Sequence, residues 1–279
     1  MLSYNNFIQK TEMINEKLIV VGKGKPYGQV VFLAGGAGSG KGFASKNFME
    51  YNKFKVRDVD EWKRAFMKIS ELKGKYTDQD GNKLSSLDLR NPKDVSALHV
   101  AVRDMNIKNK TLDLLLKNAK TGRLPNIIFD ITLKDIDDIS KVLPSLKEVG
   151  FQSTDIHIVW VLASYHVAVA ANRDRERVVD DKILFKTHVG AANTMYDIIK
   201  SKGVSGVDGS VHVILNNREN TIFFQRPDGT KTKVIKDFKY LTLKKEGKPF
   251  YSQGEVNGQI RDWILDNIPK TGATKHMWG

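Results

Sequence analysis

The sequence contains no cysteine, so neither a disulfide nor a thiolate metal centre is available to it. No apolar run reaches the ~18 residues that a transmembrane helix needs. The opening stretch, MLSYNNFIQKTEMINEKLIVV, lacks the basic segment, apolar stretch and cleavage site of a secretory signal. No internal repeat or low-complexity tract is present. These absences point to a cytoplasmic protein without a membrane partner and leave the oligomeric state open. What is present is ordinary globular material: 279 residues, 41% hydrophobic and 28% charged, enough for one large domain or one domain with a substantial extension. The net charge of +13 favours a polyanionic partner, a nucleic acid or a phosphorylated ligand. The same charge also serves solubility, or balances a bound nucleotide.

Strand and helix patterns alternate along most of the chain. An amphipathic helix is expected over about residues 4–18 and is broken by GKGKPYG. QVVFLAG, KFKVRDVD, NIIFDIT, DIHIVWVLA and VHVILNN read as five strands, with helical segments between them. That alternation implies an α/β fold, a parallel sheet flanked by helices. The segment Lys73 to Asp94 is polar, rich in turn formers and expected to be exposed. Beyond residue 216 the pattern becomes apolar–polar alternation around PDG, a β-hairpin, followed by a closing helix. Three regions result: an N-terminal helical arm (1–24), a core (25–215), and a C-terminal hairpin and helix extension (216–279).

Between the first strand and the following helix lies GGAGSGKG, which fits G-x-x-x-x-G-K at Gly35, Gly40 and Lys41. Gly35, Gly36, Ala37, Gly38, Ser39, Gly40, Lys41 and Gly42 are the expected phosphate cradle. Small residues let backbone N–H groups approach the phosphates, and the helix N-terminus adds positive potential. Lys41 would neutralise the β- and γ-phosphates of a nucleoside triphosphate. Gly42 is a departure, because a Ser or Thr there usually ligates Mg²⁺. The metal must then be held by phosphates, waters and carboxylates from elsewhere.

Ligands of parallel sheets gather beyond the carboxyl ends of the strands. Asp58 and Asp60 are expected at the end of the second strand, where one of them could take a proton from an acceptor hydroxyl. Asp60 is the preferred base; side-chain alternation does not say which of the two faces the site, and helix capping is the competing use. Asp130 ends NIIFDIT and could reach Mg²⁺ through water; Thr132 could touch substrate or cap a helix. Arg173, Arg175 and Arg177 suit a mobile lid whose guanidinium forks bind phosphate oxygens. The interleaved Asp174 and Glu176 equally suit a solvated helix with local ion pairs.

In this order GGAGSGKG, VRDVDEWKR, IIFDIT and NRDRERVVDDKILFKTH resemble the P-loop kinase group that contains polynucleotide 5′-kinases and zeta toxins, with a phage-type look. The resemblance spans roughly residues 28–215. It implies ATP and Mg²⁺ as cofactors, Asp60 as general base, Asp130 and Thr132 beside substrate and metal, and Arg175 and Arg177 as phosphate ligands. The expected reaction is transfer of the ATP γ-phosphate to a hydroxyl on a nucleic acid or nucleotide, either a 5′-hydroxyl or a hydroxymethylated base. A sugar-nucleotide acceptor and a non-catalytic nucleotide switch are the alternatives. Phe43, the segment 73–94 and the basic hairpin depart from the group's pattern. Basic residues beside Phe223, Phe224, Phe238 and Tyr240 could stack and hold a nucleic acid, or could pack on the core with lysines facing solvent.

Overall fold

The computed structural model describes residues 19–271 except 75, 118, 120–122 and 251–253. The helix expected over 4–18 lies outside the described residues.

Seven strands form a single sheet in the order β2-β3-β1-β4-β5-β7-β6. They are β1 (Val30–Ala34), β2 (Lys55–Asp58), β3 (Ile127–Asp130), β4 (Ile156–Leu162), β5 (Val211–Leu215), β6 (Thr221–Gln225) and β7 (Lys231–Lys244). The first five are mutually parallel, and β7 joins antiparallel to β5 and β6. β1 and β5 are buried along their full length, the continuous apolar reading of strands covered on both faces.

The helices are α1 (Lys41–Phe48), α2 (Val59–Lys73), α3 (Pro92–Asp104), α4 (Ile107–Lys117), α5 (Asp137–Ser140), α6 (Leu143–Glu148), α7 (Tyr165–Arg173), α8 (Asp181–Lys200) and α9 (Gly254–Asn267). One face of the sheet packs Phe32, Phe129 and Trp160 against Leu112, Leu116, Ile139 and Leu146, Met195 and Ile198 of α8, and Ile260 and Ile264 of α9. The other face packs Val31, Leu33 and Val159 against Ala44 and Phe48 of α1, with Ile19, Val21 and Met49.

The hairpin follows its sequence signal: Gly229 has φ +82° and the Asp228 carboxylate accepts from the Thr230 N–H at 2.9 Å. Its aromatic residues turn inward. Phe238 is buried and stacks on Phe48 with ring centroids 4.0 Å apart, and Tyr240 stacks on Phe238 at 5.3 Å. The hairpin therefore buttresses α1, the helix that follows the glycine loop.

The segment after α2 is mostly exposed, as expected, but Asp78 and Leu84 are buried. Leu84 is fully buried and forms a satellite cluster with Leu98, Ala101 and Val102 of α3, against which Trp62 and Phe66 of α2 pack. Asp78 organises the turn by accepting from the N–H groups of Asp80 (3.0 Å) and Asn82 (2.8 Å). A polar sequence with sparse leucines conceals this small core because its apolar partners lie on the two flanking helices.

Candidate active site

The loop after β1 places two residues in left-handed backbone, Gly38 at φ +78° and Gly40 at φ +82°, which a side chain would strain. Its outer side is packed closely. A Cβ at Gly36 would lie 2.4 Å from the His188 ring, and one at Gly38 would lie 2.7 Å from the Ala168 carbonyl. Two residues of α8 clamp the loop. The Thr187 hydroxyl accepts from the Ala37 N–H at 3.1 Å, and His188 Nε2 lies 2.8 Å from the Ala37 carbonyl. Burial pushes the His188 imidazole down to about 4, so the ring is neutral at pH 7 and Nε2–H donates. The Asn216 side chain, just beyond β5, donates to the Ser39 carbonyl at 2.8 Å. Asn217 accepts from the Ser164 N–H (2.7 Å) and donates to Asn267 of α9 (2.7 Å). The extension is thereby joined to the loop and to the start of α7.

The inner side of the loop is free for a ligand. Among the described residues, the N–H groups of Gly38, Gly40, Lys41 and Gly42 find no acceptor, and the buried Ser39 hydroxyl has no partner. Lys41 Nζ meanwhile donates to the Gly35 carbonyl (2.8 Å) and lies 3.5 Å from Asp130. A ring of free N–H donors around one lysine fits a triphosphate. The fit to a metal is different. No atom lies within 4 Å of a Cβ built at Gly42, so glycine is not there for lack of room. Among the described residues no group of three His, Asp or Glu side chains could hold a metal. A divalent cation would therefore be carried chiefly by the triphosphate, with Asp130 as the nearest strand-end carboxylate to the loop lysine. Burial raises the Asp130 carboxyl, and Lys41 opposes that rise.

The carboxylates separate by role. Asp58 ends β2 in register with Asp130 and caps α2, accepting from the Asp60 N–H at 2.7 Å. Asp60 does not end the strand; it sits in the first turn of α2. One of its oxygens meets Lys63 Nζ at 2.9 Å and the other pairs with Arg177. Burial pushes the Asp60 carboxyl up, but Lys63 and Arg177 outweigh it and hold it below its ordinary value. Thr132 does not cap a helix; its hydroxyl faces Asp138 at 3.5 Å. Leu133, buried beside it, has φ +53°, and Gly190 of α8 lies against the backbone of Lys134.

The arginine run is a clasped loop after α7. Arg173 ends the helix and is exposed, Arg175 is half-buried with no ion pair among the described residues, and Arg177 is buried. The buried Asn172 side chain bonds both backbone groups of Val179 (2.8 and 3.0 Å), and the Val178 N–H donates to the Leu89 carbonyl at 2.9 Å. The run is thus neither a solvated helix nor three free forks, because Arg177 is committed to Asp60. Four contributors were missed in the sequence. Lys63 lies one helical turn from Asp60, and Thr187 and His188 lie within a stretch read only as the end of the arginine motif. Asn216 follows a strand, where the strand-end rule would have flagged it.

This fold and loop are of the P-loop kinase type. The zeta toxin family model matches residues 15–227, most of the chain, and the chain belongs to that family. Among solved structures it is similar to the AvrRxo1-ORF1:AvrRxo1-ORF2 complex with ATP (15% identity, TM-score 0.48, covering 88% of this chain and 65% of that one). It is also similar to the PezAT chromosomal toxin–antitoxin system of Streptococcus pneumoniae (11% identity, TM-score 0.46, covering 98% and 91%). The chain thus spans about two thirds of the length of the first of these. No curated protein matches the sequence. Among the described residues no helix is long and apolar enough to cross a membrane.

Proposed function

We propose that this protein transfers the γ-phosphate of ATP to a hydroxyl of a nucleotide-type acceptor, with a sugar nucleotide as the favoured class. The observation that carries the reading is the placing of Asp60. It is a carboxylate held by two cations, on the helix that follows β2, electrostatically coupled to the loop lysine. Such a group can orient an acceptor hydroxyl and take its proton while Lys41 and the free loop N–H groups hold the phosphates. Arg175, half-buried beside Arg177, is the side chain free to reach transferring phosphoryl oxygens. A Mg²⁺ ion held chiefly by the ATP phosphates would supply charge neutralisation, with Asp130 the strand-end carboxylate beside Lys41.

Family membership supports the sugar-nucleotide class over a nucleic acid, as does the hairpin: Phe238 and Tyr240 stack on the core instead of standing free to receive bases. A polynucleotide 5′-kinase activity and a phage origin gain no support from the family match. A nucleic-acid acceptor remains the second reading, on the net charge of +13 and the exposed Lys231, Lys236 and Lys239. The test is incubation with γ-labelled ATP and a panel of sugar nucleotides, oligonucleotides and hydroxymethyl-base DNA. Label on a sugar nucleotide is expected. Label on DNA or RNA alone selects the second reading. Tight ATP binding with no transfer to any acceptor makes the protein a nucleotide switch.

A further inference from the structure

The two oxygens of Asp60 are held by partners of different kinds. Lys63 is on the same helix, three residues on, with its side chain only 7% exposed, so its ammonium is fixed relative to the carboxylate at 2.9 Å. Arg177 comes from the loop after α7, 117 residues away, and pairs with the opposite oxygen. That loop joins α7 to α8, the helix that clamps the glycine loop, and is tied to the satellite lobe at Leu89 and closed by Asn172. Its guanidinium is the more exchangeable of the two cations, because it reaches Asp60 from a separate loop, whereas Lys63 is fixed one turn away on the same helix.

We propose that Lys63 is the positioning residue for the base, and that Asp60 receives the acceptor's proton on Oδ2, the oxygen Arg177 covers until a bound triphosphate draws it away. This rests on the reading of Asp60 as base and adds the order of events. Before ATP arrives, each carboxylate oxygen is engaged by a cation, although the side chain is 31% exposed. After Arg177 leaves, Oδ1 stays on Lys63 and Oδ2 is open. The acceptor O–H proton moves to Oδ2, the acceptor oxygen forms the new bond to the γ-phosphorus, and the bond from that phosphorus to the β,γ-bridging oxygen breaks to release ADP. The device ties the readiness of the base to donor occupancy.

Lys41 on α1, Asp130 at the end of β3 and His99 on α3 are also coupled to Asp60. Arg64 on α2, Arg175 on the arginine loop and Asp58 at the end of β2 act on Arg177. Among the described residues only Lys63 and Arg177 pair with the Asp60 carboxylate.

The experiment is a ¹³C-carboxylate titration of aspartate-labelled protein, with the Asp60 signal assigned by its loss in Asp60→Asn. It is run on the wild type, Lys63→Met, Lys63→Arg and Arg177→Met, each with and without the β,γ-imido analogue of ATP and Mg²⁺. Binding of the analogue reports folding of each variant. The Asp60 titration is expected to move up in Lys63→Met and in Arg177→Met, and to return toward wild type in Lys63→Arg. The analogue should raise it in the wild type and raise it clearly less in Arg177→Met, where no arginine is left to withdraw. An equal rise in both proteins would mean that the triphosphate acts by its charge alone, and would overturn the exchange. An unmoved titration in Lys63→Met would overturn the positioning role. In the acceptor panel, Lys63→Met should lower kcat by about 10- to 100-fold, less than the ~10²–10⁴ expected for loss of the base itself, with KM for ATP unchanged. Wild-type transfer by Asp60→Asn would instead remove the base reading, a result distinct from either failure above.

Discussion

Two glycines of the same loop give opposite forecasts for a change of nearly the same size. In Gly36→Ala, the new methyl would sit 2.4–2.6 Å from three atoms of the His188 ring. The ring is buried and hydrogen-bonded to the Ala37 carbonyl, so it cannot swing aside without losing that bond. Overpacking costs ~1–3 kcal/mol and loss of the hydrogen bond about 0.5–1.5 kcal/mol, together roughly 2–4 kcal/mol. At ~2–4 °C per kcal/mol for a chain of about this size, Tm should fall by about 5–15 °C. In Gly42→Ser the Cβ meets nothing within 4 Å. The residue is in the first turn of α1, where serine gains a few tenths of a kcal/mol over glycine, roughly 0.5 at most. Stability should hold or rise slightly, and the hydroxyl should lower the Mg²⁺ concentration for half-maximal activity several-fold. Calorimetry of both variants and an Mg²⁺ titration of activity are the measurements. A Gly42→Ser protein that folds but no longer binds ATP would refute the argument, because it would show that phosphate needs the space a Cβ takes. A Gly36→Ala protein as stable as the wild type would refute the clamp by His188.

Lys41→Ala should abolish transfer and strongly weaken ATP binding, read by calorimetric titration; near-wild-type turnover would remove the triphosphate cradle. Asp60→Asn should leave ATP affinity within a few-fold and cut transfer by ~10²–10⁴, whereas Asp58→Asn should keep the helix cap and much of the rate, and Asp58→Ala should lose the cap, about 1 kcal/mol; reversed rate effects in the two Asn variants would exchange their roles. Arg175→Lys should slow transfer with stability unchanged, while Arg177→Leu should cost stability as well, roughly 1–3 kcal/mol, as denaturant midpoints would show. His157, His188 and His212 are pushed down by burial to about 3, about 4 and about 4, so they stay neutral in the fold while the unfolded chain protonates below its ordinary 6.5. Their contribution is fully present above pH 6.5 and is lost as pH falls toward 4, each at about 1.4 kcal/mol per pH unit. Replacing His188 with Gln should flatten the stability profile, and an unchanged slope between pH 6.5 and 4.5 would contradict its burial in the neutral form.

The α/β class, the parallel order of five strands and the hairpin were written in local periodicity and turn chemistry, which is why they could be read without coordinates. The glycine loop was equally local, since eight consecutive residues carry it. The division of labour between Asp58 and Asp60 was not readable. It depends on where β2 stops and α2 begins, a boundary that shifts a side chain from cap to cleft within two residues. The fate of Arg177 was hidden for another reason: its partner lies 117 positions away, and an R-x-R-x-R spacing says nothing about which arginine will be buried. Leu84 misled in the same manner, since one leucine in a polar stretch gains its core largely from residues of α2, α3 and α4.

The bonds around Asn216 and Asn217 also bear on the order in which the molecule is made. The glycine loop and its lysine leave the ribosome early, but the loop is steadied by a side chain at the end of β5, and the next residue is held by Asn267 of α9. β5 itself has no antiparallel neighbour until β7 has been synthesised. A nascent chain that has exposed every residue of the phosphate cradle, the base and the arginine loop therefore still lacks the last supports of its cradle. Firm binding of ATP should accordingly wait until β7 and α9 have been made, and chains that stop before them should bind it poorly even with every residue of the cradle present.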